Sequence, residues 1–164
     1  MSITVRQATE ADFDDIRRIT RDAYLSAGFI EADNPYVKDL ENVEDRAKNA
    51  LVWVAELDGR VVASTAITFA GQPYTDIAQE GELEFRMLAV DPAVQRAGVG
   101  RAMVAAIIDY ARSLDGIHAV SLTSMTPMTG AHALYTSMGF ERVPERDWFV
   151  PNEDIILWVF RLQL

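Results

Sequence analysis

Hydrophobic and polar positions change their spacing along the chain, and each change predicts a new element. Ile3 and Val5 alternate with polar residues, which predicts a short strand. Thr9 and the acidic residues after it are typical of a helix start, and apolar side chains then recur at three- and four-residue steps: Phe13, Ile16, Ile19, Ala23 and Tyr24. This helix is expected to end near residue 28. Residues 31–39 are expected to be irregular, and residues 43–50 to form a second short helix.

The middle and the end of the chain predict strands that alternate with helices. Residues 51–56 and 60–69 are apolar or β-branched runs joined at Asp58 and Gly59, a pair typical of hairpin turns because glycine tolerates positive φ. Further strands are predicted at 82–90, 118–123 and 155–162, and helices at 98–113 and 129–138. Hairpins are mixed with crossover helices. The predicted fold class is therefore α/β (α+β), a single domain over residues 1–164 with a mixed central sheet flanked by helices on both faces.

Composition narrows the classes of function. The 164 residues include 25 acidic and 15 basic side chains, a formal charge of −10, which disfavours nucleic acid and anionic membrane surfaces as partners. There is no cysteine, so thiol nucleophiles and thiolate metal sites are excluded, and two histidines without metal-ligand spacing predict no metal. No signal peptide or membrane-spanning run is recognised, and the expected location is the cytoplasm.

A glycine-spaced turn is the most informative local feature. Gln95, Gly98 and Gly100 follow a predicted strand and lead into a long helix. The start of a helix exposes unpaired N–H groups and a positive dipole end, and glycines let an anion approach the backbone, so phosphate binding is expected here. The turn lacks the Gly-Lys-Ser/Thr of a P-loop, and Met103 stands where a dinucleotide-binding turn has its third glycine. A tight strand-to-helix connection without a ligand is the alternative interpretation.

Two ordered motifs resemble the GCN5-related N-acetyltransferase (GNAT) family. Gln95-x-x-Gly98-x-Gly100 is similar to the acetyl-coenzyme A signature of that family, and Ala131-x-x-Leu134-Tyr135-x-x-x-Gly139-Phe140 resembles its second element. The resemblance implies acetyl-CoA as cosubstrate. It also implies a set of coenzyme-binding residues: Leu88, Ala89 and Val90 through their backbone, and Gln95, Arg96, Ala97, Gly98, Val99, Gly100 and Arg101 around the pyrophosphate. Many relatives have an asparagine where this chain has Met128, so Met128 is not counted as a binding residue.

The resemblance also implies catalytic roles. Glu84 is at the position of the general base in histone-type members, with Glu82 as a close rival, and a solvated strand carboxylate as the structural alternative. Tyr135 is at the position of the general acid that protonates the departing thiolate, and a tyrosine at the edge of the core is its alternative. The implied reaction moves the acetyl group directly to a primary amine of a small molecule through a tetrahedral intermediate.

The acceptor is less defined by the sequence. In the family, the segments equivalent to residues 24–40 and 143–152 line the acceptor site, and here both mix acidic with aromatic residues. A cationic or aromatic amine is the expected acceptor. A coenzyme A-binding regulatory module without turnover, an acyltransferase acting on a protein amine, and a homodimeric assembly remain open.

Overall fold

A computed structural model describes residues 2–164, which form eight strands and five α-helices. The strands are β1 (Ile3–Gln7), β2 (Leu51–Leu57), β3 (Arg60–Phe69), β4 (Glu82–Val90), β5 (Ala119–Met125), β6 (Glu141–Arg142), β7 (Trp148–Phe149) and β8 (Ile156–Gln163). The helices are α1 (Phe13–Ser26), α2 (Tyr36–Glu41), α3 (Val43–Asn49), α4 (Val99–Ser113) and α5 (Thr129–Ser137). Within residues 2–164, no helix is long and apolar enough to cross a membrane.

All eight strands join one mixed sheet. The strand order is β1-β2-β3-β4-β5-β8-β6. Strand β7 also pairs with β8 but lies outside this linear order. The pairs are antiparallel except β4 with β5. The β2–β3 hairpin turns at Asp58 and Gly59, which have φ values of 51° and 86°, the left-handed conformation that the turn requires. The predicted mixed sheet is confirmed.

Helices cover both faces of the sheet. Alternation along β2 places Val52 and Val54 against Ile16 of α1 and Val43 of α3. On the opposite face, α4 and α5 pack on a larger core: Leu83, Phe85, Met103, Val104, Ile107 and Leu122. The apolar side chains of this core are almost completely removed from water, which supplies most of the driving force for this layered arrangement. The predicted fold class is confirmed.

The structure corrects the prediction for residues 31–39. The segment is not irregular throughout, because α2 begins at Tyr36, where the Asn34 Oδ1 accepts the Tyr36 N–H at 2.9 Å. At its other end, the buried guanidinium of Arg46 donates to the carbonyl groups of Asp39 and Leu40 at 3.0 and 3.2 Å. A six-residue helix is too short to show periodicity, and an arginine of the next helix stabilises it. The sequence predicts two strands after the last helix, the final one at 155–162, whereas the structure has three, because β6 and β7 are separate two-residue strands.

Candidate active site

The two parallel strands at the centre of the sheet separate after a short contact. Among the strand pairings of residues 2–164, β4 meets β5 only at Glu82–Ala119, Leu83–Val120 and Glu84–Ser121. Beyond this point β4 continues along β3, while β5 continues along β8. One edge of β4 therefore faces an opening along Leu88, Ala89 and Val90, the three residues expected to bind the coenzyme through their backbone.

A bulge bends β4 at the same place. Ser64 of β3 pairs with Ala89 and Ala66 with Arg86, so Thr65 alone stands opposite two residues, Met87 and Leu88. Met87 has a φ of 55°, and the hydroxyl of Thr65 donates to the Arg86 carbonyl at 3.0 Å. Bulges redirect side chains and backbone groups and are common beside active sites. This bulge aims the second half of β4 toward the opening.

The glycine-spaced turn lies at the end of β4 and starts α4. Gly98 is the residue before the helix, with a φ of 82°, and Arg96 has a φ of 71°. Apart from Gly98 and its two chain neighbours, no protein atom lies within 4 Å of the position that a Gly98 Cβ would occupy, so the space beside the backbone is open. The N–H groups of Val99, Gly100 and Arg101 have no acceptor within the first turn of the helix. This turn fits a pyrophosphate group, which needs backbone donors and free space together.

The remaining residues of the predicted coenzyme loop are close to solvent or hold the helix in place. Gln95, Arg96 and Arg101 are exposed, Ala97 and Gly100 are half-buried, and Val99 is buried. A Cβ on Gly100 would lie 3.5 Å from Leu134 and 3.8 Å from Val90, ordinary contact distances. Arg101 Nη2 donates to the hydroxyl of Ser137 at 2.7 Å and so joins α4 to α5. The loop therefore places two guanidinium groups beside the start of α4.

Tyr135 is positioned by the second motif. After α5 the chain turns at Gly139, where φ is 98° and a Cβ would lie 3.3 Å from Leu162, and the Phe140 N–H then donates to the Tyr135 carbonyl at 3.0 Å. The Tyr135 ring packs against Phe85, Phe140 and Phe160 with ring centroids 5.8 to 5.9 Å away. Burial raises the pKa of Tyr135, so its hydroxyl keeps its proton at neutral pH.

The two glutamates proposed as the base are both buried and engaged. Glu82 accepts hydrogen bonds from Arg146 and Arg161 at 2.9 to 3.0 Å. Burial alone would raise its pKa, but Arg146, the Gln79 N–H and Arg161 outweigh this effect and lower the pKa to about 2. Glu84 is fully buried and accepts backbone N–H groups from residues 76–78. The catalytic role of Glu84 stays a prediction.

A cavity of about 370 Å³ lies beside the bulge of β4. Both segments expected to line the acceptor site contribute to it, through Tyr24, Tyr36 and Asp39 on one side and Trp148 and Val150 on the other. Residues of β5 and the predicted non-ligand Met128 complete the wall. Glu82 and Glu84 are outside the set of described residues that line this cavity. Its size suits a small molecule.

The coenzyme opening and the cavity adjoin along β4. Burial raises the pKa of Tyr24, whose ring lies edge-on to that of Tyr36 with the ring centroids 6.3 Å apart. Tyr24 and Tyr36 line the cavity, while Tyr135 belongs to the motif that follows β5. Met87 also lines the cavity, one residue before Leu88. A group bound along β4 and a group bound in the cavity would therefore adjoin.

Sequence reasoning missed two charged residues of the cavity wall, Asp76 and Arg86. Arg86 Nε lies 3.1 Å from Asp76 Oδ2, and both side chains line the cavity. The position of Arg86 could have been inferred from the sequence, because it follows Glu84 by two residues and alternation along a strand places both on the same face of β4. Asp76 lies in the β3–β4 loop and has no comparable signal. The other carboxylates of the lining are Asp39 and Glu153.

His132 of α5 contacts the cavity wall. Its Nε2 lies 3.0 Å from Ser124 Oγ and 3.1 Å from the Met125 carbonyl, and its ring stacks on Trp158 at 5.3 Å. Burial lowers the pKa of His132, so the neutral ring is favoured. Because a carbonyl can only accept, Nε2 carries the proton and cannot also take one from Ser124. His132 therefore supports Ser124 without activating it as a nucleophile.

Comparisons with known proteins agree with the motifs and the geometry. The family model of the acetyltransferase (GNAT) family matches residues 13–140. The chain is 32% identical over 159 residues to an uncharacterized protein of Mycobacterium leprae, covering 97% of this chain and 40% of that protein. It is 31% identical over 143 residues to the N-alpha-acetyltransferase RimI of Mycobacterium tuberculosis, covering 86% of this chain and 80% of that protein.

A solved structure shares the fold over the whole chain. The structure of yncA from Salmonella typhimurium with its cofactor acetyl-CoA has a TM-score of 0.70 and 25% identity, and the match covers 100% of this chain and 95% of that chain. The chain spans only 39% to 49% of the length of several curated relatives that it matches. The family model nevertheless includes β4, the glycine-spaced turn and the motif around Tyr135. The chain belongs to the acetyltransferase (GNAT) family.

Proposed function

We propose that this protein transfers the acetyl group of acetyl-CoA to a primary amine of a small molecule. One observation carries the proposal: a cavity of about 370 Å³ lies beside the bulge of β4, and the same strand leads into the glycine-spaced turn at the start of α4. A cavity of this size holds a molecule of modest dimensions, with contacts on several sides. The lining includes Tyr24, Tyr36 and Trp148, whose ring faces attract cations.

The chain's own groups have separate tasks in this reaction. Backbone N–H groups of residues 99–101 and the exposed Arg96 hold the pyrophosphate of acetyl-CoA, which supplies an acetyl thioester. The free edge of β4 at Leu88, Ala89 and Val90 binds the arm that carries the thioester, and the Leu88 N–H donates to its carbonyl oxygen. Tyr135 keeps its proton at neutral pH and donates it to the departing sulfur.

Charge in the cavity supports a cationic acceptor. Asp39, Asp76 and Glu153 line the cavity against one guanidinium, that of Arg86. An excess of carboxylates attracts an ammonium group and raises its local concentration. Of the other acids that the sequence placed near the acceptor, Asp147 is engaged elsewhere, because it pairs with Arg142 at 2.6 Å and accepts the Val159 N–H at 2.8 Å.

A thiol-release assay with acetyl-CoA tests the proposal. The panel contains tyramine, spermidine and lysine methyl ester as small amines, and a decapeptide that begins with alanine as a protein-like acceptor. We expect coenzyme A release with at least one small amine and little with the decapeptide. Release with the decapeptide alone would instead favour a protein amine as acceptor. Acetyl-CoA binding by calorimetry without release from any acceptor would favour a regulatory module.

A further inference from the structure

Three polar side chains of β4 share one face and hold the loop that precedes the strand. Glu82, Glu84 and Arg86 are two residues apart, so they point to the same side of the sheet. Each contacts residues 74–79 of the β3–β4 loop: Glu82 accepts the Gln79 N–H at 3.1 Å, and Arg86 Nη1 donates to the Tyr74 carbonyl at 2.9 Å. Hydrogen bonds from these β4 side chains therefore fix the loop at several points.

Glu84 fixes the backbone at the centre of this loop. Its carboxylate accepts the N–H groups of Asp76, Ile77 and Ala78, with the shortest distances at 3.2, 3.0 and 2.9 Å. Burial raises the pKa of Glu84, the Ile77 and Ala78 N–H groups counteract this in part, and the neighbouring Asp76 raises it further. All described contacts of this carboxylate are made with the loop, so Glu84 acts on the cavity through the residues that it holds.

Asp76 is held at the cavity wall by these contacts. Its N–H is fixed by Glu84, and its carboxylate is paired with Arg86 Nε at 3.1 Å. Its side chain is 24% exposed, and it lines the cavity. The other two carboxylates of the lining, Asp39 and Glu153, are on exposed residues in the α2 and β7–β8 segments. Asp76 is thus the cavity carboxylate with the most constrained position.

We propose that Asp76 is the catalytic base that takes a proton from the acceptor's ammonium group, and that Glu84 is a positioning residue which holds Asp76 at the cavity. This inference rests on the proposed acetyl transfer. One N–H bond of the ammonium group breaks, its electron pair stays on nitrogen, and the proton forms an O–H bond with an Asp76 carboxylate oxygen. The neutral amine then forms the N–C bond to the acetyl carbon and gives the tetrahedral intermediate. When the C–S bond breaks, Tyr135 protonates the departing sulfur, so the coenzyme leaves as thiol, and the second nitrogen proton returns to the Tyr135 oxygen.

The surroundings of Asp76 favour this role. Burial raises the pKa of Asp76, and the positive charge of Arg86 counteracts this in part. Arg86 of β4 pairs with the Asp76 carboxylate, Glu84 of β4 accepts the Asp76 N–H, and Tyr36 of α2 lines the same cavity. A carboxylate with a raised pKa binds a proton more readily than an ordinary one, which helps it to deprotonate an amine whose own pKa is ~10.4.

The test compares the full-length protein with Asp76→Asn, Glu84→Gln and a control, Asp109→Asn, whose side chain is 81% exposed on α4. Thiol release is measured from pH 5 to 9 with acetyl-CoA and tyramine, spermidine or lysine methyl ester. We expect Asp76→Asn to lower kcat by about 10²- to 10⁴-fold and to remove the inflection on the acid side of the profile. Glu84→Gln should lower Tm and kcat but keep that inflection, and Asp109→Asn should match the wild type.

The possible results separate the inference from the proposed function. Wild-type kcat and an unchanged pH profile in Asp76→Asn would overturn the role of Asp76. Loss of the acid inflection in Glu84→Gln, with its retention in Asp76→Asn, would make Glu84 the base. If Asp76→Asn does not fold, Asp76→Glu, which retains the carboxylate, must keep the inflection for the inference to stand. Absence of thiol release by the wild type with all three amines would refute the proposed function and the inference together.

Discussion

Gly98 offers a sharp test of the coenzyme site, because the structure contains a matched control. Gly98 precedes the first residue of α4 with a φ of 82°, and Gly116 follows the same helix with a φ of 81°. Beyond the adjacent residues, neither has a protein atom within 4 Å of the position of an added Cβ. The two glycines are separated by the length of α4, about 22 Å at 1.5 Å per residue. Gly98→Asp and Gly116→Asp therefore add the same charge and similar backbone strain at opposite ends of α4.

The effect on binding follows from the charges involved. A carboxylate about 4 Å from a phosphate charge is repelled by ~1 kcal/mol in water and ~4 kcal/mol at an effective dielectric constant of about 20. This energy corresponds to a Kd that is about 5- to 900-fold higher for Gly98→Asp. At a ligand concentration of about 100 times the wild-type Kd, acetyl-CoA stabilises the wild type by ~2.7 kcal/mol, or about 5–11 °C in Tm. The variant should show at most about two-thirds of that shift.

Two measurements decide the outcome. Calorimetric titration with acetyl-CoA gives the Kd of each protein, and thermal unfolding with and without acetyl-CoA gives the shift in Tm. We expect Gly116→Asp to bind like the wild type, while both variants lose similar stability without ligand. Equal Kd values for Gly98→Asp and the wild type, in a folded protein, would place the coenzyme elsewhere and refute the assignment of the turn.

Two further changes test the acid and the buried ion pairs. Tyr135→Phe should keep acetyl-CoA binding but lower kcat by about 10- to 1000-fold, because the ring packs as before while the proton donor is lost; wild-type kcat across the pH range would reduce Tyr135 to a packing role. Glu82 has an ordinary pKa of 4.5 and a folded value of about 2, so its stabilisation of the fold is present above pH 4.5 and disappears as the pH falls through 2. Between pH 4.5 and 2, urea unfolding should show that the free energy of unfolding falls by about 3 kcal/mol more in the wild type than in Glu82→Gln. Equal decreases in the two proteins would contradict the pairing of Glu82 with Arg146 and Arg161.

The sequence was sufficient for elements whose signal is local. The helical spacing from Phe13 to Tyr24, the hairpin at Asp58 and Gly59, and the glycine-spaced turn before α4 each depend on neighbouring residues, and the structure has all three. The motif from Ala131 to Phe140 is local as well, since Gly139 and Phe140 position Tyr135 within a few residues. Such patterns determine backbone conformation directly, and the family follows from their order.

Only the tertiary structure determined which side chains reach the cavity. Glu84 has the strand position expected of a base, yet the β3–β4 loop folds over it and its carboxylate binds the N–H groups of that loop. Asp76 has no recognisable motif, but the same loop brings it to Arg86 and the cavity wall. Helix α2 likewise depends on Arg46, which lies in the next helix. Spacing along a chain specifies which face a residue occupies, whereas burial and charge depend on segments that meet only after packing.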